Sequence, residues 1–265
     1  MMNLKTDKML AEKHGGIGWM TFNNPARRNA TSLEMWEAVD TIISDFAADE
    51  SIRVVVMKGA GDKAFVAGAD ISQFETARAS AEAADAYAEV SARARTAMES
   101  LEKPLIAMIR GFALGGGLAV AMRADIRIAA NDALLGIPAA RLGIAYAFDS
   151  LKKLVELVGP SKAKEILMTA KRYPAEEAMR MGLLNKVVSV ADLESETRAL
   201  CATIIDNAPI SILANKAIIN QTLLDPDKRD MDLVKAMTAR CFDSEDYTEG
   251  RTAFMEKRNP VWKGC

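Results

Sequence analysis

The chain has one histidine in 265 residues. Histidine is the commonest general acid–base and metal-binding side chain. Catalysis here is therefore expected to proceed without it. His14 precedes Gly15 and Gly16 and reads as a polar residue at a hairpin turn. Cysteine is almost as scarce. Cys201, Cys241 and Cys265 are scattered, with no CxxC or Cys/His spacing. That excludes a disulfide framework and a thiolate metal site, and it fits reduced thiols in a cytoplasmic protein. Long apolar runs are missing too. The longest uncharged one, Gly111 to Met122, is too short to cross a bilayer and is full of glycine. The opening "MMNLKTDKMLAEKHGG" lacks the apolar stretch of a signal peptide. Neither charge sign dominates: 34 Lys and Arg face 36 Asp and Glu, interspersed, for a net charge of −2. Without a basic stripe no nucleic-acid partner is expected.

What is present is apolar content, at 50% of residues, enough for a sizeable core. The 15 methionines read as core filler. "IGWMTFNN" (17–24) alternates and predicts a strand. Thr31 and Glu34 have capping-box spacing before a helix with Leu33, Trp36, Val39, Ile42, Ile43 and Phe46 on its apolar face. "RVVVMKG" (53–59), "LIAMI" (105–109), "DIRIAA" (125–130) and "NKVVSV" (185–190) predict further strands. The segment 61–74 reads as a loop. Helices are expected at about 80–101, 161–170 and 174–182. After residue 191 the periodicity is helical only, over about 192–206, 210–223, 229–242 and 245–256. The pattern predicts an α/β body, 1–191, followed by an all-helical region, 192–265.

"GGGLAVAM" (115–122) poses the functional question. A glycine run at a helix start brings backbone N–H groups close to a ligand. The next turn, however, offers only Leu118, Ala119, Val120, Ala121 and Met122, none of which can move a proton.

Four motifs occur in order: "AFVAGADISQF" (64–74), "GFALGGG" (111–117), "GLLNKVV" (182–188) and "DSEDYTEGRTAFMEKRNP" (243–260). On these, the chain resembles the enoyl-CoA hydratase/isomerase (crotonase) family. The resemblance implies a spiral of ββα units with a C-terminal helical trimerisation region, and a homotrimer or dimer of trimers. It implies an acyl-CoA thioester as substrate, with coenzyme A entering as part of it and no separate cofactor. It assigns the N–H groups of Ala69 and Gly116 to an oxyanion hole for a thioester enolate. Each such donor contributes on the order of 3–4 kcal/mol in a dry site. Ala67, Asp70, Ile71 and Leu118 fall in the surrounding pocket. "NPARRNA" (24–30) matches the segment that meets the CoA head, so Arg27 and Arg28 can face its phosphates. Lys63 matches a CoA-facing lysine. Phe254 and Lys257 match tail residues that reach the CoA of a neighbouring subunit.

The chain departs from that family where hydratases carry two glutamates. Those places are Ala119 and, in "GIPAA" (136–140), Ala139. Alanine is neither acid nor base. One route to an enolate needs no base: decarboxylation of a malonyl-type thioester. "RLGIAY" (141–146) resembles a segment of methylmalonyl-CoA decarboxylase whose tyrosine orients the leaving carboxylate, which points to Tyr146. That decarboxylase differs in having histidine in place of Ala69 and a glutamate near position 119. Leu118, Ala119, Ala139 and Phe148 would form an apolar wall. Two alternatives stand beside this: a hydratase or isomerase with its base relocated to Asp149, and a non-catalytic acyl-CoA-binding protein.

Overall fold

The computed structural model describes residues 2, 4–70 and 81–264, with the side chains of 81–84 excepted. Ile71 lies outside the described residues, so its expected place in the pocket goes undescribed. The chain starts with a hairpin. Strand β1 (Met9–His14) pairs antiparallel with β2 (Ile17–Phe22), His14 opposite Ile17, and Gly15 and Gly16 turn the corner at φ 59° and 79°. His14 stands at that turn, as expected. Strand β2 is buried throughout, and continues parallel into β3 (Val54–Gly59), β5 (Leu105–Ile109), β7 (Ile126–Ala130) and β10 (Lys186–Val188). These strands are apolar runs because helices cover the sheet.

Helix α1 (Leu33–Ala48) buries Met35, Trp36, Val39, Ile42, Ile43 and Phe46 on the main core. A side chain at Gly18 would meet the Phe46 ring at 2.8 Å, so glycine lets the helix settle on β2. Helix α2 (Ala81–Ser100) packs beside α1, where the Trp36 indole donates to the Tyr87 hydroxyl at 3.1 Å. The capping box does not form. Ser32 caps α1 without a side-chain hydrogen bond, and Glu34 pairs with Lys8 at 2.5 Å. Lys8 thereby draws the Glu34 carboxyl below its ordinary range.

A second sheet is built from short strands that the sequence reading missed: β4 (Ala64–Val66), β6 (Phe112–Leu114), β8 (Leu134–Gly136) and β9 (Tyr173–Pro174). Strand β4 lies within the expected loop 61–74. Helix α3 (Gly116–Ala121) follows β6 directly. Helix α4 runs Phe148–Thr169, longer than the expected 161–170, with Gly159 at φ 74° interrupting it. Helix α5 spans Ala175–Arg180.

Helix α6 (Leu193–Ile205) lays Cys201 on a core of Ile17, Trp19, Val54, Val56 and Ile106. That burial pushes the Cys201 thiol up to about 11. Helices α7 (Pro209–Thr222), α8 (Met231–Phe242) and α9 (Glu245–Glu256) complete the chain near the expected positions. Large apolar side chains remain exposed on α8 and α9, including Phe242 and Phe254. No helix among the described residues is long and apolar enough to cross a membrane.

Candidate active site

The site is built where the two glycine-bearing segments meet. Gly115, at φ 53° and ψ −121°, turns the chain from β6 into α3, and its N–H donates to the Gly136 carbonyl at 2.8 Å. Gly117 then presses on β4: a Cβ there would sit 1.8 Å from the Val66 carbonyl oxygen. Glycine is the residue that allows the first turn of α3 to lie against this strand.

The 67–70 segment is held from the other side. The Ala67 N–H donates to the Arg28 carbonyl at 3.0 Å, the Asp70 N–H to the Thr31 carbonyl at 2.9 Å, and the Thr31 N–H to the Gly68 carbonyl at 2.9 Å. Thr31, expected as a helix cap, instead anchors this segment. Asn29, wholly buried at φ 57°, adds bonds from Nδ2 to the Ala60 and Ala64 carbonyls at 2.9 and 2.8 Å. No sequence argument singled it out, although asparagine is a residue that tolerates this backbone region.

The N–H groups of Ala69 and Gly116 are not consumed by this scaffold. Neither donates to a carbonyl among the described residues. Gly116 heads a helix, where the first amides have no partner within it. A methyl placed on Gly116 would lie 3.7 Å from the Ala69 nitrogen, so the two residues border one small space. Ala67, Ala69 and Asp70 are half-buried, and Leu118, Ala119 and Ala139 are buried. Ala139 opens a 3-10 turn, Ala139–Leu142, directly after Pro138, whose ring is 3.8 Å from where a Gly115 side chain would begin. Residues 119 and 139 thus flank the glycine turn with methyl groups alone.

Beyond this wall lies a buried charge cluster that sequence reading missed. The Arg123 side chain is fully buried. Its Nη1 donates to the Ala119 carbonyl at 2.7 Å and its Nη2 to Asp149 Oδ2 at 2.8 Å. Glu99 stands 3.3 Å from its Nε, and Arg95 stands 3.6 Å from Asp149. Burial lowers the Arg123 pKa, against the pull of Glu99. The signal was a lone arginine one helical turn after Ala119, inside an apolar stretch. Asp149, the candidate relocated base, is thereby engaged by two arginines. It borders a charged cavity of about 300 Å³ with Glu99, Asp125 and Lys152.

Tyr146 packs its ring on the main core, and its hydroxyl is buried without a hydrogen-bond partner among the described residues. Burial pushes the phenol well above its ordinary range, with Arg123 opposing and Asp149 reinforcing the shift. Phe148 differs from expectation. It begins α4 and is 83% exposed, so it lines no apolar wall in this chain.

The remaining candidates lie at the surface. Arg27, Arg28 and Lys63 are exposed. The Arg28 guanidinium rests 5.4 Å from the Phe112 ring centre, and Arg172 rests 5.6 Å from the same ring. The Lys63 carbonyl accepts from the Phe112 N–H at 3.1 Å, which places Lys63 beside them. Phe254 lines a separate cavity of about 420 Å³ with Ala208, Cys241 and Trp262, and Lys257 ends α9 exposed. No group of three His, Cys, Asp or Glu side chains among the described residues could hold a metal.

The fold and the glycine junction define an α/β protein in which the amides of Ala69 and of Gly116, the latter at a helix start, have no carbonyl partner among the described residues. Comparison with known proteins makes this specific. Residues 12–265 match the family described as enoyl-CoA hydratase/isomerase, and the chain belongs to that family. It is 35% identical over 259 residues to the short-chain-enoyl-CoA hydratase of Clostridium acetobutylicum, covering 96% of this chain and 97% of that protein. It is 37% identical over 256 residues to the crotonyl-CoA hydratase of Syntrophomonas wolfei, covering 95% and 96%. A solved structure, an enoyl-CoA hydratase/carnithine racemase from Magnetospirillum magneticum, superposes with a TM-score of 0.93 at 35% identity, covering 98% of this chain and 97% of that one.

Proposed function

We propose that the protein is an enzyme of acyl-CoA thioesters, and that the N–H groups of Ala69 and Gly116 hold the thioester oxygen as it becomes an enolate. The observation that carries this reading is the pair of amides that have no carbonyl partner among the described residues and border one space, while their neighbours Ala67 and Asp70 are bonded away. The positive end of α3 adds to the attraction for negative charge. Arg27, Arg28 and Lys63 are assigned to the CoA phosphates, a role supported by their exposure beside the segment that carries Ala67. Ala67, Asp70, Ile71, Leu118, Ala119 and Ala139 are assigned to the acyl pocket. Phe254 and Lys257 are assigned to the CoA bound by a neighbouring subunit in a homotrimer or dimer of trimers. The exposed apolar side chains of α8 and α9 support self-association. Reduced thiols, Cys201 among them, fit a cytoplasmic setting.

The reaction proposed is decarboxylation of a malonyl-type thioester, a lyase step. The bond from Cα to the carboxylate breaks, its electron pair enters the thioester, CO2 leaves, and water returns a proton to Cα. No protein base is needed. Ala119 and Ala139 cannot serve as one, and Asp149 is occupied by arginines. Glutamates at 119 and 139 would repel a substrate carboxylate, whereas methyl groups leave room for it. The Tyr146 hydroxyl, without a hydrogen-bond partner among the described residues, is a donor that gains a bond when a carboxylate arrives.

The names of the relatives favour a second reading, hydration of an enoyl thioester. That reaction needs an acid and a base at places other than 119 and 139. The purified protein should be given malonyl-CoA, methylmalonyl-CoA, crotonyl-CoA and a 3-enoyl-CoA. Release of CO2 from either of the first two supports decarboxylation, and hydration or isomerisation of the others supports the second reading. Tight binding with no turnover leaves a non-catalytic acyl-CoA-binding protein.

A further inference from the structure

We infer that Arg123 is a positioning residue: it ties the helix that begins at Gly116 to the segment 143–149 that carries Tyr146. This rests on the roles proposed above for Gly116 and Tyr146. The tie has two ends. Nη1 holds the Ala119 carbonyl at 2.7 Å, and Nη2 holds the Asp149 carboxylate at 2.8 Å. The guanidinium is rigid and planar, so a shift at one end moves the other.

Apart from the Tyr146 ring, which packs on the main core, the segment it holds has few polar anchors among the described residues. Gly143 sits in the left-handed region at φ 64°, and residues 140–145 are exposed. The Ile144 N–H reaches back only to the Ala139 carbonyl, at 3.1 Å, within the same turn. Asp149, in the first turn of α4, is the polar contact among the described residues that joins this stretch to the glycine helix.

A fully buried arginine is costly unless paired. Asp149 and Glu99 supply two carboxylates, and Arg95 completes the cluster against Asp149. The Arg123 Nε and the Tyr146 hydroxyl are both buried without a hydrogen bond among the described residues. A cluster maintained at that cost serves position better than stability. Its placement, one turn below Ala119, puts it against the wall where the proposed substrate carboxylate would lie.

The test compares Asp149→Asn, Arg123→Lys, Tyr146→Phe and the Asp149→Asn/Tyr146→Phe double variant. Hydrogen exchange is followed over 143–149, and kinetics on whichever thioester is turned over. In Asp149→Asn and Arg123→Lys, exchange in this segment should rise about tenfold or more. Turnover should fall about tenfold while KM holds within about twofold. Removing the Tyr146 hydroxyl from Asp149→Asn should then cost less than about twofold more, because the hydroxyl is already displaced. Unchanged exchange, or losses that multiply fully in the double variant, would overturn the inference. If wild type turns over none of the thioesters, exchange alone decides: faster exchange upholds the tie while the enolate reading falls, and unchanged exchange overturns the tie. Should Arg123→Lys fail to fold, Asp149→Asn carries the test, since that side chain is 47% exposed.

Discussion

Two regions border the proposed substrate space, and they are made differently. The junction of 66–69 with 115–117 is made of backbone. Its shape follows from side chains that cannot exist there, as at Gly117, where a Cβ would lie 1.8 Å from a carbonyl oxygen. The wall formed by Ala119, the 139–149 segment and Arg123 is shaped by side chains, from the methyl groups of Ala119 and Ala139 to the buried Arg123 guanidinium. On the proposed reading, the half that would polarise a thioester is locked into packing, and the half that would move a proton or place a carboxylate depends on single side chains.

The sharpest way to break that comparison is Gly117→Ala. Overpacking against Val66 should destabilise the fold by about 3 kcal/mol or more, read by chemical denaturation. A variant as stable as wild type would mean that α3 does not press on β4. Gly116→Ala should behave in the opposite way. Its methyl makes an ordinary 3.7 Å contact with the Ala69 nitrogen, so the fold should hold. That methyl occupies the proposed oxygen site, and turnover should drop about 100-fold with an unchanged circular dichroism spectrum. Full activity in this variant would remove the oxyanion role from the junction.

On the wall side, Tyr146→Phe should lower turnover about tenfold. It should leave stability equal or raise it by about 1 kcal/mol, because the lost hydroxyl leaves no partner behind among the described residues. A clear loss of stability would show that the hydroxyl is bonded after all.

The smallest effect is expected far from both regions. Arg258 and the Val261 N–H hold the Glu249 carboxyl down, from an ordinary 4.5 to about 2. A carboxyl lowered in the folded state contributes above its unfolded value and loses that contribution as pH falls. The last residues should therefore loosen between about pH 4.5 and 2. Trp262, whose indole donates to the Asp206 carbonyl, reports this by fluorescence against a Trp262→Phe control. A flat signal through that window would separate Glu249 from the anchoring of this segment.

The parts of the molecule legible in the sequence follow the same division. Strands such as Val54–Gly59 and Leu105–Ile109 were visible because a covered parallel sheet demands unbroken apolar runs. The backbone junction was visible because glycine at these positions answers a steric demand. The second sheet escaped notice because its strands are only two or three residues long, and three of the four lie beside glycines. The first half of α4 was hidden by the glycine and proline at 159 and 160, which read as a boundary. Arg123 and Asp149 were the hardest to pair, being 26 residues apart with no periodicity to link them. Thr31 misled because its spacing to Glu34 suits a cap, while tertiary contacts used its backbone for the 67–70 segment.

The most direct test of the central claim, an enolate formed without a protein carboxylate, is mass spectrometry of methylmalonyl-CoA and malonyl-CoA incubated with the protein in heavy water. Loss of CO2 with one deuterium placed at Cα of the product thioester is expected. Deuterium exchange at Cα with no loss of CO2, or hydration of crotonyl-CoA while both malonyl-type thioesters stay intact, would contradict it.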